Sequence, residues 1–229
     1  ISAREHVVCP FELSLEASEM ADIIICDYNY AFDPRAYLKR FFFADKKAYT
    51  FLIDEAHNLV DRGREMFSAS LKTSIFSNLL SLLQGRLPHI RKNVEEILAW
   101  LSQRQQACLK QNQPLAEKDP PEKIYGALKT FIRLSEAYLR KSRKDPLRPE
   151  VIEIYFEVIN FLKIAEQYDK SYATIYEQSD KDFRVKLFCM DPSGPLNGAL
   201  RRCASAAFFS ATMTPFEYFK SVLGCREST

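Results

Sequence analysis

Two adjacent carboxylates, Asp54 and Glu55, follow the apolar run Tyr49-Thr-Phe-Leu-Ile53, and His57 stands two residues further on. A short strand that buries itself and ends in two acids can show one to a divalent cation and the other to a water molecule. That is the chemistry of metal-assisted hydrolysis of a phosphoanhydride, where positioning and charge stabilisation carry the rate. Mg²⁺ prefers hard oxygen ligands and keeps several waters, so a single carboxylate suffices to hold it. Asp54 fits that part, Glu55 fits polarising the water, and His57 is placed to couple the pair to a neighbouring segment. A bare Asp-Glu pair is also what the first turn of an ordinary helix shows. The second motif weighs against that plain reading. Phe208-Phe209 runs into Ser210-Ala-Thr212, two short hydroxyls at a strand end that can hydrogen-bond to the acids. Alone, such a triplet reads as a turn or a helix cap.

These residues need strands to carry them. Phe51–Ile53 and Ala206–Phe209 are the expected carriers, with a helix after the acids and another over residues 196–204. Ile23-Ile-Ile-Cys26 reads as a further strand, and Pro10 opens a helix at its first turn. Asp33-Pro34 reads as a cap leading into a helix through Leu38 and Phe42. Residues 71–182 read as almost wholly helical. Val94, Ile97, Leu98 and Leu101 keep helical spacing, as do Ile124, Leu128, Phe131, Leu134 and Tyr138. The stripe Val151, Tyr155, Val158, Leu162, Ala165, Tyr168, Tyr172, Ile175 predicts one helix of nearly 30 residues, about 45 Å long. Turns fall at Gly85 with Pro88, Pro114, Asp119-Pro-Pro121 and Asp145-Pro146. Phe183–Cys189 alternates as a half-exposed strand. Three stretches result: 1–70 and 183–229 of mixed α/β character, and 71–182 as a helical bundle inserted between them.

A length of 229 residues leaves ample material for a core, and 47% hydrophobic with 27% charged residues is ordinary globular composition. The net charge of +2 conceals a gradient. Arg86–Arg148 holds 14 basic against 7 acidic residues, which suits either a polyanion surface or a solvated helical face. No apolar run approaches the roughly 20 residues of a membrane span, and Ile1-Ser-Ala-Arg-Glu lacks signal-peptide anatomy. Cys9, Cys26, Cys108, Cys189, Cys203 and Cys225 show no paired spacing, which points to reduced thiols and a cytoplasmic setting.

Four segments, in order, carry a resemblance: Cys9-Pro-Phe-Glu-Leu-Ser, Ala21-Asp-Ile-Ile-Ile-Cys-Asp-Tyr-Asn-Tyr-Ala-Phe-Asp-Pro34, Ile53-Asp-Glu-Ala-His-Asn-Leu59 and Phe209-Ser-Ala-Thr-Met-Thr-Pro215. The chain resembles the iron–sulfur superfamily 2 helicases of the XPD/DinG group. That resemblance implies a partial RecA-like motor domain, with a parallel sheet, interrupted by an all-helical Arch-like insertion. It implies ATP, Mg²⁺ and a [4Fe–4S] cluster in the parent enzyme, with Asp54 on Mg²⁺, Glu55 activating water, and Ser210 and Thr212 coupling hydrolysis to movement. Cys9 resembles the last of four cluster thiolates, a number the cluster requires. The other five cysteines do not match ligand positions, so no cluster is expected in this chain.

Tyr28, Asn29 and Tyr30 resemble a segment near the DNA path, where aromatics can stack on bases; as core rings with wet hydroxyls they read equally well. Arg140, Lys141, Arg143 and Lys144 are candidate phosphate contacts on single-stranded DNA, and also a plausible solvated face. The helical region is the expected seat of any protein partner.

A phosphate cradle requires Gly-Lys-Ser/Thr, and lysine follows none of Gly63, Gly85, Gly126, Gly194, Gly198 and Gly224. The second motor domain would lie past Thr229. This polypeptide alone is therefore not expected to hydrolyse ATP. Two rival readings stand beside the DNA helicase. A DEAH-box RNA helicase shares the acidic box but would have a shorter span between it and Ser-Ala-Thr. A helical protein-interaction module would carry the box as a vestige.

Overall fold

A computed structural model describes residues 8–42, 49–111, 113–179 and 182–225. The N-terminal residues read above for targeting signals lie outside them. Two sheets organise the chain.

The first is a parallel pair, β1 (Thr50–Ile53) beside β6 (Ser205–Phe208), in register from Thr50↔Ser205 to Ile53↔Phe208. The pairing runs past both strand ends, with Ala204 N–H donating to Tyr49 O at 2.8 Å and Phe209 N–H to Ile53 O at 3.1 Å. Alternation along β1 turns Phe51 toward Phe32, edge-on at 6.0 Å, and buries Ile53, while Leu52 on the other face is 73% exposed. After the acids, α3 (Asn58–Met66) buries Leu59, Val60, Gly63 and Met66. Gly63 lets this helix close on α8 (Ser193–Leu200): a Cβ there would sit 3.1 Å from Pro192 Cβ and 3.3 Å from Leu196 Cδ1.

The second sheet is antiparallel, in the order β2 (Ala69–Lys72), β5 (Phe183–Cys189), β4 (Tyr172–Gln178), β3 (Leu115–Glu117). Tyr172 faces Cys189, Thr174 faces Leu187 and Tyr176 faces Val185, and all six are buried. Against this sheet pack the helices α4 (Thr73–Leu82), α5 (Pro88–Gln111) and α7 (Arg148–Ala165), while α6 (Glu122–Lys141) packs on α5 and α7. Phe76 meets Phe131 edge-on at 6.1 Å between α4 and α6, both rings fully buried. Burial of each such ring is worth about 1.5–3 kcal/mol.

The architecture is mixed α/β, in keeping with a partial helicase domain, and it corrects several sequence expectations. The stretch 71–182 is not all helix, because β3 and β4 lie within it. The predicted 30-residue helix stops at Ala165. Ser171 N–H donates to Asp169 Oδ1 at 2.8 Å in a turn, and Tyr172-Ala-Thr-Ile-Tyr176 continues as a strand. Positions 168, 172 and 175 fit a helical period, but the β-branched and aromatic run buries 172, 174 and 176 with a period of two. Ile23–Cys26 takes no regular secondary structure and is not a strand. No neighbour among the described residues offers it a ladder, and Ile23 and Ile25 are 80% and 95% exposed. The helix expected after Asp33-Pro34 is replaced by a single 3₁₀ turn, Lys39–Phe41. The Asp33 carboxylate accepts from the Arg35 amide at 2.8 Å and from its guanidinium, which favours a turn over a helix. Phe183–Cys189, by contrast, is a strand over the residues expected. No helix among the described residues is long and apolar enough to cross a membrane.

Candidate functional site

The parallel register of β1 and β6 ends both strands at the same level and so delivers their C-terminal loops side by side. Ala56 N–H closes the junction, donating to Phe209 O at 3.1 Å. Across it the two motifs meet. His57 Nδ1 lies 2.7 Å from Ser210 Oγ and 3.3 Å from Glu55 Oε2. Ser210 Oγ is 3.4 Å from the same Glu55 oxygen and 3.4 Å from Thr212 Oγ1, and it accepts from the Thr212 amide at 3.3 Å. Glu55, His57, Ser210 and Thr212 thus form one connected polar cluster. With the Glu55 side chain 57% exposed, the His–Glu contact itself contributes little to stability.

Asp54 stands at the same edge. One of its carboxylate oxygens, Oδ1, accepts from the Glu55 amide at 2.8 Å. Glu55 adopts a left-handed backbone, φ 47°. For a residue with a Cβ that conformation costs about 1–2 kcal/mol, and it turns the Glu55 side chain back toward His57. Strain of this kind concentrates at working sites.

Tyr28, expected near a DNA path, sends its hydroxyl to the box. The hydroxyl reaches the carbonyls of both Asp54 and Glu55, the latter at 3.0 Å. Burial, then the nearby Asp54 and Glu55 carboxylates, push its phenol above the ordinary range. Its neighbours differ. Asn29 opens α2 (Asn29–Phe32) with its amide on Asp27 Oδ1 at 3.0 Å, and the Tyr30 ring stacks on Phe11 at 6.2 Å. Phe11 belongs to α1 (Pro10–Ser18), and the exposed Cys9 directly precedes that helix.

The four cations lie elsewhere. Arg140 and Lys141 end α6, Arg143 and Lys144 occupy the turn after it, and all are exposed. Arg140 sits 3.9 Å from Glu136. The main neighbours of α6 are α5 and α7, so the fold does not bring these side chains to the acidic box.

Two contributors were missed in the sequence. A cleft of about 430 Å³ beside the box is lined by Asp27, Tyr28, Asn58, Asp61, Arg62 and Glu65. The last four fall at i, i+3, i+4 and i+7 on α3, a polar stripe opposite its apolar one, so the spacing was there to be read. Arg202 donates to Ala31 O at 2.8 Å and lies 3.7 Å over the Tyr37 ring, fastening the approach to β6 onto α2. Nothing in its local sequence marks it.

The donor set suits a hard cation: a carboxylate at an exposed strand end with one oxygen already fixed by an amide. For a cluster it does not suffice, because no group of three or more His, Cys, Asp or Glu side chains converges as a metal site among the described residues.

Residues 2–76 match the DEAD_2 family model. Over 71% of its length the chain is 24% identical to the regulator of telomere elongation helicase 1 homolog of Caenorhabditis briggsae, covering 14% of that protein. It is 37% identical over 42% of its length to regulator of telomere elongation helicase 1 of Homo sapiens, covering 8%. With the Fanconi anemia group J protein homolog of Gallus gallus it shares 36% identity over 29% of its length, covering 5%. The chain therefore spans no more than about a seventh of these relatives. The residues matched by the family model include Asp54, Glu55 and His57 of the acidic box, and the chain is similar over part of its length to proteins named as helicases.

Proposed function

We propose that the chain is part of an ATP-driven 5′-to-3′ DNA helicase of the XPD/DinG type, acting on single-stranded or forked DNA in repair or recombination. The observation that carries this reading is the junction of β1 and β6, where His57 Nδ1 and Ser210 Oγ stand 2.7 Å apart. A junction of this kind can report nucleotide state, because loops held by a terminal phosphate and its Mg²⁺ are released on hydrolysis.

In this reading Asp54, one of whose oxygens is engaged by the Glu55 amide, would be the residue to hold Mg²⁺. The ion, when bound, neutralises charge on the phosphates. Glu55 orients the attacking water and takes its proton. His57 and Ser210 restrain the Glu55 carboxylate, and Thr212 extends that contact toward the segment beyond β6. Asn29 and Tyr30 flank the strand path, and Arg140, Lys141, Arg143 and Lys144 supply phosphate contacts. Cys9 is the proposed cluster ligand of the longer protein, and no step here depends on it.

The test is ATP hydrolysis by the full-length protein with and without single-stranded DNA, beside Glu55→Gln. Stimulated turnover is expected in the wild type. In E55Q a loss on the order of 10²-fold or more is expected, because positioning of the nucleophile is removed, with DNA affinity retained. A wild type that DNA does not stimulate, or an E55Q that turns over normally, would remove the helicase reading.

A further inference from the structure

Tyr28 belongs to neither motif, yet its hydroxyl meets two successive carbonyls of the acidic box, those of Asp54 and Glu55. The hydroxyl has one proton to share between them, and those carbonyls flank the residue whose φ is 47°. The platform that presents it is fixed at both ends. Asp27 Oδ1 takes the Asn29 amide at 3.0 Å, Phe32 is buried edge-on against Phe51 of β1, and Arg202 holds Ala31 O at 2.8 Å. A ring leaving so short and so firmly held a helix has little freedom to follow a moving ligand. Its hydroxyl instead clamps a backbone that would otherwise relax out of the left-handed region.

We infer that Tyr28 is a positioning residue for hydrolysis, its hydroxyl holding the Asp54–Glu55 backbone in the turn that aims the Glu55 carboxylate. The inference rests on the hydrolytic role proposed above. Relaxation of Glu55 would carry its Oε2 away from His57 Nδ1 and Ser210 Oγ, now at 3.3 and 3.4 Å. The ground-state affinity for nucleotide would be little altered, since Tyr28 acts on the orientation of the water-activating group. The effect therefore belongs in kcat rather than KM.

The test is Tyr28→Phe in the full-length protein, which keeps the ring and removes only the hydroxyl. DNA-stimulated kcat is expected to fall roughly tenfold, a modest misplacement of a catalytic group, with KM for ATP and affinity for a single-stranded oligonucleotide unchanged. Hydrogen exchange of the Ala56 and Asn58 amides, bonded to Phe209 O and Glu55 O, is expected to quicken, a readout independent of turnover. Wild-type kcat in Y28F, or unchanged exchange at these amides, would overturn the inference. So would a loss confined to DNA affinity, which would assign the residue to the strand path. A wild type without stimulated turnover fails differently: it removes the hydrolysis reading itself before Y28F is compared.

Discussion

The bond between His57 Nδ1 and Ser210 Oγ joins residues 153 positions apart, and each is also within reach of Glu55. Groups that share a third partner act as a unit, so their substitutions should not add. His57→Ala and Ser210→Ala are each expected to lower DNA-stimulated turnover of the full-length protein. The double variant should then fall short of the product of the two effects, by a coupling of about 0.5–3 kcal/mol. Strict additivity in that cycle would mean the two side chains are neighbours without a common task. The thiols separate at the same scale. Cys9 is exposed, whereas Cys189 is fully buried, and burial pushes its thiol up to about 11. The thiolate is the nucleophile, so in this 229-residue chain, where no cluster is expected, iodoacetamide at pH 8 should modify Cys9 and spare Cys189 until denaturant is added. Labelling of both at equal rates would contradict the packing of Cys189 between β4 and β2.

Among the elements, the connection from α6 to α7 depends on one carboxylate. Asp145 accepts from the Leu147 amide at 3.0 Å and from Arg86 at 2.7 Å, and these bonds, the backbone one first, hold its acid below the usual 3.8. A depressed acid contributes stability above its unfolded pKa and loses it as pH falls through the folded one. Asp145→Asn should therefore be less stable than the wild type near neutrality, with the two converging well below pH 3.8; parallel curves would exclude the turn as an acid-sensitive point. At the other end, α9 (Phe216–Val222) is followed by Gly224 at φ 69°, where a Cβ would stand 2.2 Å from Ser193 O. Gly224→Ala meets both backbone strain and a collision with α8, so a loss of about 1–3 kcal/mol or more is expected in denaturant melts. No change would mean that this segment does not dock as drawn. Elements like these also show what could be read in advance. Phe183–Cys189 and Pro10–Ser18 were legible because one period or one proline dominates each. Tyr172–Gln178 was not, because its spacing satisfies two periods and only pairing with β5 selects one. Ile23–Cys26 has the composition of a strand and no partner beside it, and composition cannot supply a neighbour. The acidic box and Ser-Ala-Thr were legible as motifs, but Tyr28's hold on the box was not, since a hydroxyl's partner is decided by tertiary geometry.

Across the whole molecule, charge is sorted by helix rather than spread evenly. Lys129, Arg133, Arg140 and Lys141 are exposed along α6, while Glu150, Glu153 and Glu157 are exposed along α7, so a net charge of +2 hides two faces of opposite sign. An exposed basic helix whose cations are mostly unneutralised by its own acids holds counterions that a phosphate backbone would displace. On the proposed function, this face and not the acidic box sets the affinity for DNA. Fluorescence anisotropy with single-stranded and duplex oligonucleotides over a salt series measures it directly. Binding should prefer the single strand and weaken as salt rises. Removing a single phosphate-binding cation, as in Arg140→Ala or Lys144→Ala, should reduce the log–log slope by about 0.7 while leaving DNA-independent properties of the acidic box untouched. An unchanged slope in a variant lacking Arg140, Lys141, Arg143 and Lys144 together would show that the DNA track runs elsewhere. The α6 face would then be a solvated surface or a protein-docking one, and the role of the helical region in the motor would have to be sought in its acidic side, where α7 presents Phe156, 62% exposed, among its glutamates.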